Sequence, residues 1–190
     1  WINNSIYFDH FIQSGYSSIQ NLVATTLSMP SIPGSIPFTQ RKYSIVPYES
    51  AFALNYLKKG YETTFVYGGK LSWQRIGDFM PHQGFDNVYG EGDFDLKTPK
   101  TDWGVYDEYL FDYVYNKLIN SKTPQFILFF TTTNHPPFEL PPNFVPPPLK
   151  MSSDLKDIIS GDEVLAQKRF STYQYTSCYL NKFLNDIYSN

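Results

Sequence analysis

The chain has 190 residues, 42% of them hydrophobic and 17% charged, and a formal net charge of -3. That length supports one domain over 1–190 with a core able to bury most of its aliphatic side chains. The slight negative charge removes the electrostatic case for a nucleic-acid partner, which needs clustered Lys and Arg, and no run of about 18 apolar residues is present to cross a membrane.

In chain order, WINNSIYFDH has neither an initiator Met nor the basic-then-apolar layout of a signal peptide, and it reads as the start of a piece of a longer protein. Its sequon, Asn3-Asn4-Ser5, is too common a pattern to mean anything alone. Segment 18 to 28, SIQNLVATTLS, sets Ile19, Leu22, Val23 and Leu27 on one helical face, with Ser17 or Ser18 as the N-cap. MPSIPGSIP breaks that helix. SAFALNYLKKG has helical spacing and closes on Gly60, a C′ residue. YETTFVYGG predicts a strand from Thr63 to Tyr67 that feeds a loop. SWQRIGDFM reads as one or two helical turns and FDNVYG as a short strand.

From Trp103, WGVYDEYLFDYVYNKLINS places Val105, Leu110, Phe111, Val114 and Leu118 on one stripe and predicts a helix capped by Asp102. QFILFFTTT is a continuous apolar run, which predicts a central strand covered on both faces. A Pro-rich loop over 136–148 follows. The final helix is expected from about Glu163 to Ile187, with Cys178 as a small buried hydrophobe. Helices alternating with strands favour a three-layer α/β domain with a largely parallel sheet.

In such sheets ligands gather outside the carboxyl ends of the strands. Two predicted strands end in suitable residues: one leads through Gly68-Gly69 to Ser72-Trp73-Gln74-Arg75, and the other delivers Asn134-His135. An Arg can fork two bonds onto a phosphate or sulfate, and a His can donate to an anionic oxygen or assist proton transfer. The plainer readings are a surface ion pair of Arg75 with Asp78, packing by Trp73, and a polar loop role for His135. Gly68-Gly69 lacks the Lys-Ser/Thr ending of a phosphate loop. His10 and His82 show no metal-ligand spacing. The acid pairs Asp93/Asp95 and Asp107/Glu108 fall in a polar loop and near a helix start, where acids favour the helix dipole.

These stretches together carry a resemblance. GYSSIQNLVATTLSMPSIPG resembles the nucleophile segment of the lipoteichoic acid synthase-like sulfatases of the alkaline phosphatase superfamily, where Gly-x-x-Thr opens a helix that runs into a Leu-Ser-x-Pro loop. YETTFVYGGKLSWQR is similar to their strand and loop ending in aromatic-Trp-x-Arg. WGVYDEYLFDYV is similar to their Trp-Gly-Val-x-Asp-Glu-x-Leu-Phe helix, and FFTTTNHPPFELP to their Thr-x-Thr-x-His-x-Pro-Phe strand end. The four motifs stand in the family's order along nearly the whole chain.

The resemblance implies an alkaline phosphatase-like α/β fold, incomplete at both ends of this chain. It also implies transfer or hydrolysis of phospho- or sulfo-esters at a divalent metal (manganese, magnesium or zinc), from substrates that include lipid head groups, in the extracytoplasmic space. Membrane anchoring would come only through segments outside these residues. Ser18 aligns with the metal-bound nucleophile, with Ser17 as the competing alignment; Trp73, Arg75 and His135 align with substrate-binding residues. On this reading the hydroxyls of Thr131 to Thr133 and His135 mark the floor of an anion site, and Ser18, Arg75 and His135 converge on it.

Departures from the family pattern accompany the match. The upstream metal-binding acid and the downstream Asp-His metal pair do not lie in this sequence, so Ser18 is its one candidate metal ligand. Tyr67 stands where synthases of this kind often have His, Ser17 replaces a basic residue, and the nucleophile is Ser in place of Thr. The isolated piece is therefore expected to turn over substrate poorly. A catalytically inactive anion-binding homologue is the alternative, and a carbohydrate-binding domain that stacks sugars on Tyr and Trp is a third reading, disfavoured by the alternating elements.

Overall fold

A computed structural model describes residues 5–32, 34–154, 159 and 162–189; Asn3 and Asn4 of the sequon lie outside them. The chain divides into two compact units. The first holds the described residues up to Val66 together with Leu71–Tyr89 and Ser121–Leu128, and the second holds Tyr67–Lys70, Gly90–Asn120 and the described residues from Phe129 onward.

The elements are α1 (Ser18–Leu27), α2 (Ala53–Leu57), β1 (Glu62–Tyr67), α3 (Ile76–Phe79), β2 (Asn87–Tyr89), β3 (Lys100–Thr101), β4 (Gly104–Val105), α4 (Asp107–Ile119), β5 (Gln125–Phe130) and α5 (Glu163–Tyr188). One sheet has the order β2-β1-β5, and β3 with β4 forms a separate hairpin. β1 and β2 pair in parallel, Phe65 opposite Val88. On the other edge of β1, Glu62 N–H donates to Pro124 O at 2.9 Å and Gly68 N–H to Phe130 O at 3.1 Å. Six residues advance on each chain between these bonds, so β5 is parallel too. The expected α/β fold with a parallel sheet is therefore observed.

In the first unit, α1 buries Ile19, Leu22, Val23 and Leu27, the face its periodicity predicts. β1 is buried over Thr63–Tyr67, as befits the middle strand. Phe126 of β5 stacks on Tyr56 with ring centroids 4.0 Å apart and meets Phe52 edge-on at 5.1 Å. The loop before α2 is held by Gln83, fully buried, whose Oε1 accepts from Tyr48 N–H and whose Nε2 donates to Val46 O, both at 3.1 Å. A buried amide needs partners of both kinds, and this loop supplies them.

In the second unit, Phe111 of α4, Phe129 of β5 and Phe183 of α5 meet pairwise with centroids 5.5 to 5.8 Å apart. Tyr175 is fully buried, and its hydroxyl accepts from Glu108 N–H at 3.3 Å. Asp162 caps α5 by accepting from Leu165 N–H at 2.9 Å.

Three expectations are corrected. The helix expected from Trp103 begins at Asp107, with Tyr106 as its N-cap residue, because residues 100–105 are taken into the hairpin. β5 lies at the edge of the sheet and is half-buried throughout; the apolar run reflects packing in both units, not a central position. Cys178 is exposed, since α5 turns only part of its circumference inward.

Candidate functional site

Ser18 opens α1, and the preceding turn is tied down around it. The Ser17 side chain accepts from Gln20 N–H at 3.5 Å, Gln20 Oε1 accepts from Tyr16 N–H at 2.9 Å, and Asn21 bridges Gly15 through its Oδ1 at 3.0 Å and its Nδ2 at 2.9 Å. Ser17 is thus the cap, and the Ser18 hydroxyl is exposed with no hydrogen bond to a described residue. A β-carbon on Gly15 would stand 2.6 Å from Cβ of Gln20, so the close approach of this turn to the helix requires glycine. The free N–H groups of the first helical turn favour negative charge beside Ser18.

Trp73 and Arg75 lie on the 3-10 turn after β1. Gln74 and Arg75 have φ of 51° and 58°, a left-handed region that costs residues with a β-carbon energy. Arg75 is the N-cap residue of α3 and pairs with Asp78 at 3.4 Å, with both side chains more than half exposed. That pair contributes little to stability. Leu71, Ser72, Arg75, Gly77 and Asp78 line a cavity of about 440 Å³.

His135 stands just past β5, where the chain reverses and Phe138 N–H donates to His135 O at 2.8 Å. The hydroxyls of Thr132 and Thr133 before it are bonded within the fold instead of lining an anion site. Thr132 Oγ1 donates to Val105 O at 2.8 Å, and Thr133 Oγ1 accepts from Asp107 N–H at 2.9 Å. Both threonines are buried. Their fixed point is Asp107, fully buried, whose Oδ1 accepts from the N–H groups of Thr132 and Thr133 at 3.0 Å each, while Thr176 Oγ1 donates to Oδ2 at 2.6 Å. Sequence reasoning placed Asp107 as a helix-dipole acid and missed this clamp; an acid directly before an apolar helical stripe was the available signal.

Gly68-Gly69 serves packing. Val105 N–H donates to Gly68 O at 2.9 Å, and a β-carbon on Gly69 would lie 2.5 Å from the Trp103 carbonyl oxygen. Tyr67 beside them stacks on Phe130 with centroids 5.3 Å apart. Burial, and secondarily the Glu91 carboxylate, push its phenol up to about 12. Asp93 accepts from Gly90 N–H and Asp95 from Lys97 N–H, both at 2.8 Å, which accounts for that acid pair structurally.

Ser18, Trp73 and Arg75 belong to the first unit and His135 to the second. Among the described residues, no three His, Cys, Asp or Glu side chains are grouped so as to hold a metal ion. The described residues therefore do not make a metal centre by themselves.

The fold matches solved structures of the alkaline phosphatase superfamily. A member from Vibrio parahaemolyticus aligns with a TM-score of 0.74 at 23% identity, over 94% of this chain and 40% of that one. Lipoteichoic acid synthase LtaP from Listeria monocytogenes aligns with a TM-score of 0.75 at 20% identity, over 98% of this chain and 44% of that one. The sulfatase family model matches residues 3–189, and the chain belongs to the sulfatase family.

Among curated relatives, lipoteichoic acid synthase-like YvgJ of Bacillus subtilis (strain 168) is 31% identical over 73% of this chain and 22% of its own length. Lipoteichoic acid synthase 1 of the same organism is 24% identical over 95% of this chain and 27% of its own. Phosphoglycerol transferase I of Salmonella choleraesuis (strain SC-B67) is 34% identical over 40% of this chain and 11% of its own. The chain spans about a quarter of the length of the first two. Among the described residues, no helix is long and apolar enough to cross a membrane.

Proposed function

We propose that this chain is the substrate-side portion of a sulfatase-family enzyme that hydrolyses or transfers phospho- or sulfo-ester groups, with phosphoglycerol from lipid head groups as the favoured donor. Ser18 is the nucleophile, Arg75 forks onto two ester oxygens, Trp73 bounds the substrate, and His135 contacts the transferred group. The intact protein acts outside the cytoplasm and is anchored through segments beyond these 190 residues. A divalent metal, implied by the family, would require ligands in addition to Ser18.

The observation that carries this reading is the contrast at the start of α1. Ser17, Gln20 and Asn21 all hold the turn, and Ser18 beside them is exposed, its hydroxyl bonded to no described residue. A residue needed only for capping would be bonded. The test is cleavage of phosphodiesters and sulfate esters by the intact protein with manganese, magnesium or zinc added, in wild type and Ser18→Ala. Metal-dependent turnover lost in the variant supports the enzyme; equal background in both would refute it.

A second reading, an inactive anion-binding homologue, is favoured by Tyr67. A buried phenol that stays neutral well above pH 7 cannot supply the positive charge that an imidazolium would. Saturable phosphate binding without turnover is its signature.

A further inference from the structure

We propose that Trp103 is a positioning residue for His135, fixing its ring so that Nε2 is the nitrogen presented to substrate. The inference rests on the assignment of His135 as a substrate-contacting group. Trp103 lies in the two-residue turn of the β3–β4 hairpin, whose register pairs Lys100 with Val105 and Thr101 with Gly104.

The turn is pinned from several sides. Trp103 N–H donates to Thr101 Oγ1 at 3.1 Å, and Val105 N–H reaches Gly68 O at 2.9 Å. Gly104 sits at φ 143°, where a β-carbon would stand 2.2 Å from Gly68 O. Only glycine allows so close an approach, and it sets the path on which the indole leaves the hairpin.

From that fixed base the indole makes two contacts. Its Nε1–H donates to Pro136 O at 2.7 Å, and its ring lies against the His135 imidazole, with centroids 3.3 Å apart and planes inclined by 33°. His135 Nδ1 stands 3.3 Å from the same Pro136 carbonyl. A carbonyl oxygen only accepts, so this contact requires the proton on Nδ1. Nε2, which has no hydrogen bond to a described residue, is then left to face the substrate: protonated, it donates to an ester oxygen, and neutral, it accepts from a hydroxyl. Trp103 holds both the carbonyl that selects the tautomer and the plane of the ring. Asp107 fixes the strand end from which His135 departs, but it leaves the ring free to rotate.

The test reads the tautomer directly, in the intact protein labelled with nitrogen-15 in histidine and with His135 assigned by its loss in His135→Gln. In wild type the neutral ring shows the nitrogen shifts of the Nδ1–H form. Trp103→Ala is expected to change this to a mixture dominated by Nε2–H. Trp103→Phe, which keeps an aromatic face and loses the indole N–H, falls between the two and serves if the Ala variant does not fold.

Unchanged tautomer populations in a folded Trp103 variant would overturn the proposal, as would an Nε2–H ring in wild type. Because no ester is needed, this result is independent of the Ser18→Ala assay that decides the functional reading. Where turnover is present, Trp103→Ala should lower kcat about tenfold or more, as expected when a reacting group loses its orientation.

Discussion

Asp107 and Thr133 are joined by a reciprocal pair of hydrogen bonds: Thr133 N–H donates to Asp107 Oδ1 at 3.0 Å, and Asp107 N–H donates to Thr133 Oγ1 at 2.9 Å. Each residue satisfies a buried backbone group of the other, so the start of α4 and the end of β5 are locked in one arrangement.

Removing the carboxylate would orphan the N–H groups of Thr132 and Thr133 and the hydroxyl of Thr176, all packed against it. Asp107→Ala is expected to destabilise by about 3 kcal/mol, since each buried unsatisfied group costs about 1–3 kcal/mol and relaxation recovers part. Asp107→Asn keeps one accepting oxygen and should lose less. Urea midpoints of the three proteins give the ranking; an Ala variant as stable as wild type would show that the clamp contributes nothing.

The two serines at α1 separate capping from chemistry. Ser17→Ala is expected to cost about 1 kcal/mol, the usual worth of an N-cap oxygen, and to leave ester turnover in place. Ser18→Ala is expected to leave the melting temperature within a degree or two, because its hydroxyl bonds to no described residue, and to abolish turnover. The opposite pattern would transfer the nucleophile role to Ser17.

Arg75 should trade stability against activity. Its left-handed φ of 58° costs roughly 1–2 kcal/mol in a residue with a β-carbon, and glycine's extra freedom when unfolded gives back about 1 kcal/mol or less. Arg75→Gly should therefore unfold at a slightly higher temperature while losing ester turnover. Arg75→Lys keeps the charge without the fork and should retain the strain with reduced turnover. A lower melting point for the Gly variant would mean that the backbone is not strained there.

The alkaline limb of stability should carry the signature of Tyr67. Its phenol titrates near the ordinary 10.0 when unfolded and at about 12 when folded. The folded state therefore holds its proton longer, and stability falls as pH rises from about 10 through about 12. Melting temperatures of wild type and Tyr67→Phe between pH 9 and 12 should show a shallower decline in the variant. Tyr179, also raised to about 12, by a hydrogen bond to Glu108 and by burial, keeps some slope in both.

The sequence by itself determined α1, β1 and α5. Their signals are local: apolar residues at helical or strand spacing, a Ser or Asp at the start, and a glycine or polar loop beyond the end. The parallel α/β class and the family were legible there as well.

What Trp103 and the Thr hydroxyls do was decided only in three dimensions. Residues 103–105 open the helical stripe in the sequence, yet they complete a hairpin, because Gly68 offers its carbonyl to Val105 and Gly104 can approach within contact of it. Such a bond joins residues 37 apart and leaves no mark on local periodicity. Likewise, TTTNH looked like a row of ligands, but Asp107 and Val105 had already claimed the buried hydroxyls. A polar group's role depends on which partner folding brings to it, and hydrogen bonding between distant segments is the part of the free energy that a linear pattern does not display.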